Sequence, residues 1–112
     1  DMAAVSNFYI DQGADFSTII SLTDSNGDVL NLSGYTALAQ IRKTYGSTTI
    51  AGTFTTSLAA DTGQLTMSLT DVVTTAIASG RYVYDVLLTD GSGDKTRVLE
   101  GQAILTPGVS RS

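Results

Sequence analysis

Residues 79–90 read Ser79-Gly80-Arg81-Tyr82-Val83-Tyr84-Asp85-Val86-Leu87-Leu88-Thr89-Asp90, and no other stretch restricts the fold of this chain as strongly. After Ser79-Gly80 the aromatic and β-branched residues come at a density that fits a pleated sheet better than a helix surface. Tyr82, Tyr84, Val86 and Leu88 fall on one face of such a strand, and Asp85 falls on the other. A strand this apolar invites pairing with other chains if left at an exposed edge. It therefore needs neighbours on both sides and a second layer over it.

The rest of the chain supplies those neighbours as short alternating segments. Residues 4–10 alternate loosely and read as a first, edge strand. Residues 15–23 put Phe16, Ile20 and Leu22 on one face and Ser17, Ile19, Ser21 and Thr23 on the other. Asp24-Ser25-Asn26-Gly27-Asp28 is a hairpin turn, because Asn-Gly tolerates the positive φ that tight turns need, and residues 29–32 pair back. Residues 35–43 carry Tyr35, Ala37, Ala39 and Ile41 on one face, with Thr36, Leu38, Gln40 and Arg42 opposite. Residues 48–56 place Ile50 and Phe54 together, and the intervening Gly52 marks a bulge or a close crossing. Residues 64–69 alternate strictly, with Leu65, Met67 and Leu69 inward.

A helical run over 70–78 starts from an N-cap at Thr70, with Asp71 complementing the helix dipole. It is expected to end at Gly80, in the left-handed conformation glycine adopts past a helix C-terminus. Asp90-Gly91-Ser92-Gly93-Asp94 is a second hairpin loop, residues 95–106 return as the last strand, and Gly101 suggests a bulge in it. Pro107-Gly108 stops that strand, leaving 109–112 as a tail or a lead-out towards another domain. No internal repeat is evident. The expected architecture is all-β: one domain over 1–112, a β-sandwich of seven to eight antiparallel strands with one short helix before the penultimate strand. Tyr82 sits where a corner tyrosine would tie the helical crossing to the next strand.

Composition narrows the chemistry. The 112 residues contain no Cys and no His, which removes disulfides, thiolate metal sites, a Ser-His-Asp triad and the commonest zinc ligands. A net charge of −5 with 6 basic residues lacks the electrostatic footprint of a phosphate-binding surface, so nucleic acid is not an expected partner. The apolar runs are far too short to cross a bilayer, and no membrane partner is expected. The N-terminus has no basic segment of a signal peptide. Met2 reads as the natural start, with Asp1 a remnant of expression. Only 15 % of residues are charged, and Ser, Thr and Gly fill the gap, a surface suited to packing against other proteins.

Three sets of residues invite a functional reading, and each has a plainer alternative. Asp24, Asn26 and Asp28 have the i, i+2, i+4 spacing of calcium loops. The glycine, however, stands fourth rather than sixth, and Tyr35 occupies the place of the closing glutamate, so a hairpin is the better reading. Asp90 and Asp94 fail in the same way, and no cofactor or metal is expected. Asp85, mid-strand in an apolar run, needs Arg42, Arg97 or solvent, and a cross-strand ion pair outweighs a catalytic acid. Glu100 reads as the wet face of the last strand. Tyr9, Tyr35 and Tyr45 have the amphipathic character of sugar-stacking residues, although capping the ends of the core explains them as well.

Taken together, Tyr35-Thr36-Ala37 with Gln40-Ile41-Arg42-Lys43, then residues 63–70, Gly80-Arg81-Tyr82-Val83-Tyr84-Asp85-Val86, Arg97-Val98-Leu99-Glu100-Gly101 and Pro107-Gly108-Val109-Ser110-Arg111 form a familiar set. The chain resembles small virion structural proteins of contractile-tailed marine bacteriophages, of the cyanophage kind, and is more distantly similar to N-terminal modules of phage baseplate upper proteins. The resemblance implies an immunoglobulin-like β-sandwich in a phage particle, as a tail, baseplate, fibre or capsid-surface component assembled in the host cytoplasm, with no catalytic residue. Other virion proteins are the expected partners. Self-association is expected through an edge strand, either residues 4–10 or residues 95–106. The alternative is a carbohydrate-binding or host-adhesion module using Tyr9, Tyr35 or Tyr45 with the loop acids Asp24, Asp28, Asp90 and Asp94. A hydrolase built on Asp85 would need a second carboxylate beside it in an open cleft.

Overall fold

The computed structural model describes residues 4–110. The readings of Asp1 and Met2 as the start, of Arg111 as part of the resemblance, and of the last two tail residues lie outside the described residues. Among the described residues nine strands form two sheets: β1 (Ala4–Val5), β2 (Phe8–Asp11), β3 (Phe16–Ser21), β4 (Thr36–Arg42), β5 (Gly52–Thr53), β6 (Thr55–Ala59), β7 (Gln64–Leu69), β8 (Gly80–Thr89) and β9 (Lys95–Thr106). One helix, α1 (Asp71–Ala76), precedes β8. The large sheet runs β1-β9-β8-β4-β5, with β2 also on β9, and the small sheet runs β3-β7-β6.

β8 is central, as its composition demands, with β9 on one side and β4 on the other. Its inward residues Tyr82, Tyr84, Val86 and Leu88 are buried together with Ala39 and Ile41 of β4 and Leu65, Met67 and Leu69 of β7. These residues close the two layers over one core. A cycle of four rings crosses it: Phe8 to Phe16 at 5.6 Å, Phe16 to Phe54 at 6.1 Å, Phe54 to Tyr84 at 5.9 Å and Tyr84 back to Phe8 at 5.2 Å. Separations of this size give tilted and edge-on ring contacts beyond plain burial.

The sheets are not antiparallel throughout. β1 and β2 both run parallel to β9, from Ala4 opposite Leu99 to Asp11 opposite Thr106, in one unbroken register. They behave as a single strand interrupted at Ser6 and Asn7. There the Ser6 N–H donates to the Glu100 carbonyl at 3.0 Å, and Asn7 Oδ1 accepts the Gln102 N–H at 2.9 Å, so a side chain takes over a ladder bond. Gly101 is where this interruption leans in: a Cβ on it would collide with the Ser6 carbonyl. The bulge expected at Gly101 lies instead between Val86 and Leu87, where the β8–β9 register shifts past Val98. The last strand, expected as a possible edge, is interior, held between β8 and β1–β2. Residues 4–10 are the edge.

Three further expectations change. Residues 48–56 do not form one strand, because the chain leaves the large sheet after Thr53, buries Phe54 and enters the small sheet at Thr55. Phe54 is in the core while Ile50 stays exposed, and Gly52 is a close crossing, its missing Cβ leaving room for Ile77 Cδ1. The helix ends before Gly80: Ile77 is its extended C-cap and drops into the core, so the backbone uncoils three residues early. Gly80 opens β8 at φ 144°, a value closed to ordinary side chains. Finally, residues 29–32 return as a single bridge, Thr23 to Val29, rather than a strand.

The helix is anchored from within. Thr70 caps it, accepting the Val73 N–H at 3.4 Å. Thr74, fully buried, donates to the Ala14 carbonyl at 2.9 Å and accepts the Gly13 N–H at 3.1 Å, tying α1 to the turn between β2 and β3. Gln12 Nε2 donates to the Ile77 carbonyl at 2.9 Å.

Candidate interaction surface

The outer face of the large sheet is built by the residues that alternate with the core. Register places Leu38 beside Leu87 and Arg97, Arg42 beside Val83 and Gln102, and Arg81 beside Ile104 and Tyr9. A row across the middle runs Gln40, Asp85, Glu100, Val5. Arg97 Nε donates to Asp85 Oδ2 at 2.7 Å, so of the partners expected for Asp85 it is Arg97 that binds it. Arg42 is occupied elsewhere, donating to the Ser47 carbonyl at 2.9 Å and to Gln40 Oε1 at 3.0 Å.

The second carboxylate near Asp85 that sequence did not anticipate is Glu100, directly across the ladder. Both lie on an open sheet face. The concavity there is a groove of about 280 Å³ along the β4–β8 boundary, walled by Tyr45 on the loop after β4, floored by Leu38, Val83 and Leu87 and lined as well by Gln40, Arg42, Asp85 and Arg97. Tyr45 is 67 % and Leu38 48 % exposed.

The three tyrosines considered for sugar stacking do not converge. Tyr9 stands outward on the edge strand β2, and Tyr45 lies at the far side of the same sheet, across β9 and β8. Tyr35 is not an exposed ring: it packs against the core and borders a separate crevice, about 550 Å³, between β3 and β9 beside the two Asp-bounded hairpins.

The residues singled out as structural have defined contacts. Tyr82 Oη donates to the Ala78 carbonyl at 2.8 Å, back across the helix-to-strand corner, and Lys43 Nζ sits 4.6 Å from its ring centroid while donating to the Arg81 carbonyl. Lys43 Nζ is also what a side chain on Gly80 would meet first. Sequence reasoning missed Tyr84 Oη, which donates to the Ser6 carbonyl at 2.6 Å and locks the edge strand to the centre of the sheet. Burial pushes this phenol well above its ordinary range.

The chain matches no protein-family model and no curated protein. Among the described residues no group of three or more acidic side chains is placed to hold a metal ion, and no helix is long and apolar enough to cross a membrane.

Proposed function

We propose that the domain is a non-enzymatic structural and assembly module of a bacteriophage virion, in its tail, baseplate, fibre or capsid surface, working through protein–protein contacts on an immunoglobulin-like sandwich. The observation that carries this reading is the outer face of the large sheet, five strands across, on which Val5, Tyr9 and Leu38 stand exposed among polar and charged side chains. Exposed aromatic and aliphatic side chains with arginines among them fit a protein–protein contact surface. For the fold, support comes from the strand order β9-β8-β4 facing β3-β7-β6, which follows the order of an immunoglobulin-type sandwich, and from the Tyr82 hydroxyl bonded across the corner before β8.

The adhesion alternative uses Tyr9, Tyr35 or Tyr45 with the loop acids: Tyr35 borders one crevice with Asp24, Asp90 and Asp94, whereas Tyr9 and Tyr45 stand apart on the large sheet, far from those acids. Antibodies against the domain, applied to purified phage particles in electron microscopy, test the virion reading. Labelling at a fixed place on the particle is expected, and particles free of the domain would end the proposal.

A further inference from the structure

We infer that the outer face of the large sheet is a self-association surface, on which two copies of this chain exchange Tyr45 side chains across a twofold axis. The inference rests on the reading of the domain as a protein-binding module and assigns that module's first partner. An isologous interface needs one patch that carries both a projection and its own receptor, so that residue i of one copy meets residue j of the other and j meets i. This face has both. Tyr45, 67 % exposed, projects beside the groove floored by Leu38, Val83 and Leu87, so a rotation about an axis near the groove brings each ring over the other copy's floor.

Electrostatics selects the same face. The chain carries a net charge of −5, and two copies meeting through the hairpin end would oppose Asp24, Asp28, Asp90 and Asp94 with themselves. The outer face of the large sheet instead sets Arg42, Arg81, Lys95 and Arg97 against Asp11, Asp85 and Glu100, close to neutral and of mixed sign. A face of mixed sign lets a twofold set basic beside acidic groups, which an all-acidic end does not. The small sheet offers no equivalent: its outer face is Ser and Thr with Gln64, Ala59 and Ile19, the last its one large apolar side chain. A Tyr seated in a pocket at the centre of a contact is a usual anchor of such an interface, and here Leu38, Val83 and Leu87 offer the ring an apolar floor while Gln40, Arg42, Asp85 and Arg97 surround it.

Sedimentation velocity of the 112-residue chain over a range of concentrations tests this. A monomer–dimer equilibrium is expected, with Tyr45→Ala weakening it by at least about tenfold. Leu87→Glu is expected to abolish it, while Ile19→Glu on the small sheet leaves it unchanged. Circular dichroism checks that each variant is folded, and because Tyr45 lies on an exposed loop its variant keeps the test open if Leu87→Glu fails to fold. A chain that stays monomeric up to about 1 mM overturns the inference, as does a dimer indifferent to Tyr45→Ala or broken by Ile19→Glu. A monomer that still labels virions would remove the self-association and leave the module reading standing.

Discussion

Asp24 and Asp90 occupy the same position in two hairpins of the same construction. Each Oδ1 accepts the backbone N–H two residues on at 2.9 Å and the one four residues on at 3.0 Å. Each backbone also bonds to the matching Asp28 or Asp94 carbonyl, and Gly27 and Gly93 take φ of 85° and 90°. The shared pattern is Thr-Asp-x-x-Gly-Asp, at 23–28 and again at 89–94. The glycine supplies the left-handed residue of a three-residue loop. What resembled a pair of half-formed calcium loops is one turn used twice, its first carboxylate satisfied by the backbone.

Those turns are expected to depend on an acceptor rather than on charge. Asp90→Ala removes two hydrogen bonds and should cost about 1 kcal/mol in denaturant unfolding. Asp90→Asn keeps the acceptor oxygen and should cost less than half of that. Adding calcium is expected to leave the melting temperature of the wild-type chain unchanged, and a rise of several degrees would mean that the loops hold the ion after all.

Gly101→Ala should be among the most damaging single changes. The added methyl meets a backbone carbonyl, Ser6, which has no rotamer to retreat into, and the Asn7 amide oxygen stands close behind. Relief requires lifting β1–β2 off β9, which breaks the Tyr84–Ser6 bond and opens the Phe8 side of the aromatic cycle. Destabilisation of about 3 kcal/mol or more is expected from chemical denaturation. Hydrogen exchange should show the loss concentrated at the amides of residues 8–11.

The ion pair on the open face should matter little to stability. The Arg97 and Asp85 side chains are 52 % and 31 % exposed, and pairs in such settings contribute between about 0 and 1 kcal/mol. Asp85→Asn is therefore expected to shift the unfolding midpoint only slightly, and less still in high salt. A loss of several kcal/mol would show that the carboxylate is held by more than Arg97.

Much of this arrangement is legible in the residues, and the remainder is hidden for definite reasons. Alternation in β8, β4 and β7 identifies the buried face of each, because a one-residue error would move every side chain to the wrong side. Strand direction is different: period two is the same in a parallel and an antiparallel ladder, so nothing in residues 4–11 announces that they run parallel to β9. The change of sheet at Phe54 is hidden because both halves of 48–56 are rich in Thr, which suits either sheet. Gly101 looks like a bulge glycine locally, since the carbonyl that needs the space comes from Ser6, at the other end of the chain. At the candidate surface, Arg97 was visible as one of Asp85's possible partners, but the groove was not, since it depends on where an irregular loop sets down Tyr45.

Tyr84 gives the clearest pH signature. It is 2 % exposed, and burial raises its phenol above the ordinary value of 10.0. Below pH 10 the ring is neutral in both folded and unfolded chains, and its contribution to stability is fully present. Above pH 10 the unfolded chain releases the proton while the folded one retains it, so ionisation favours unfolding. Stability should then fall by up to about 1.4 kcal/mol for each further pH unit. Tyr84→Phe separates the two roles of the hydroxyl. Near neutral pH the variant should be less stable by about 1–3 kcal/mol, because the Ser6 carbonyl is left without its donor. Above pH 10 its stability should decline less steeply than that of the wild type, since the buried group no longer titrates. Urea midpoints measured from pH 7 to pH 11 for both chains supply the comparison, and parallel curves above pH 10 would show that another tyrosine governs alkaline unfolding.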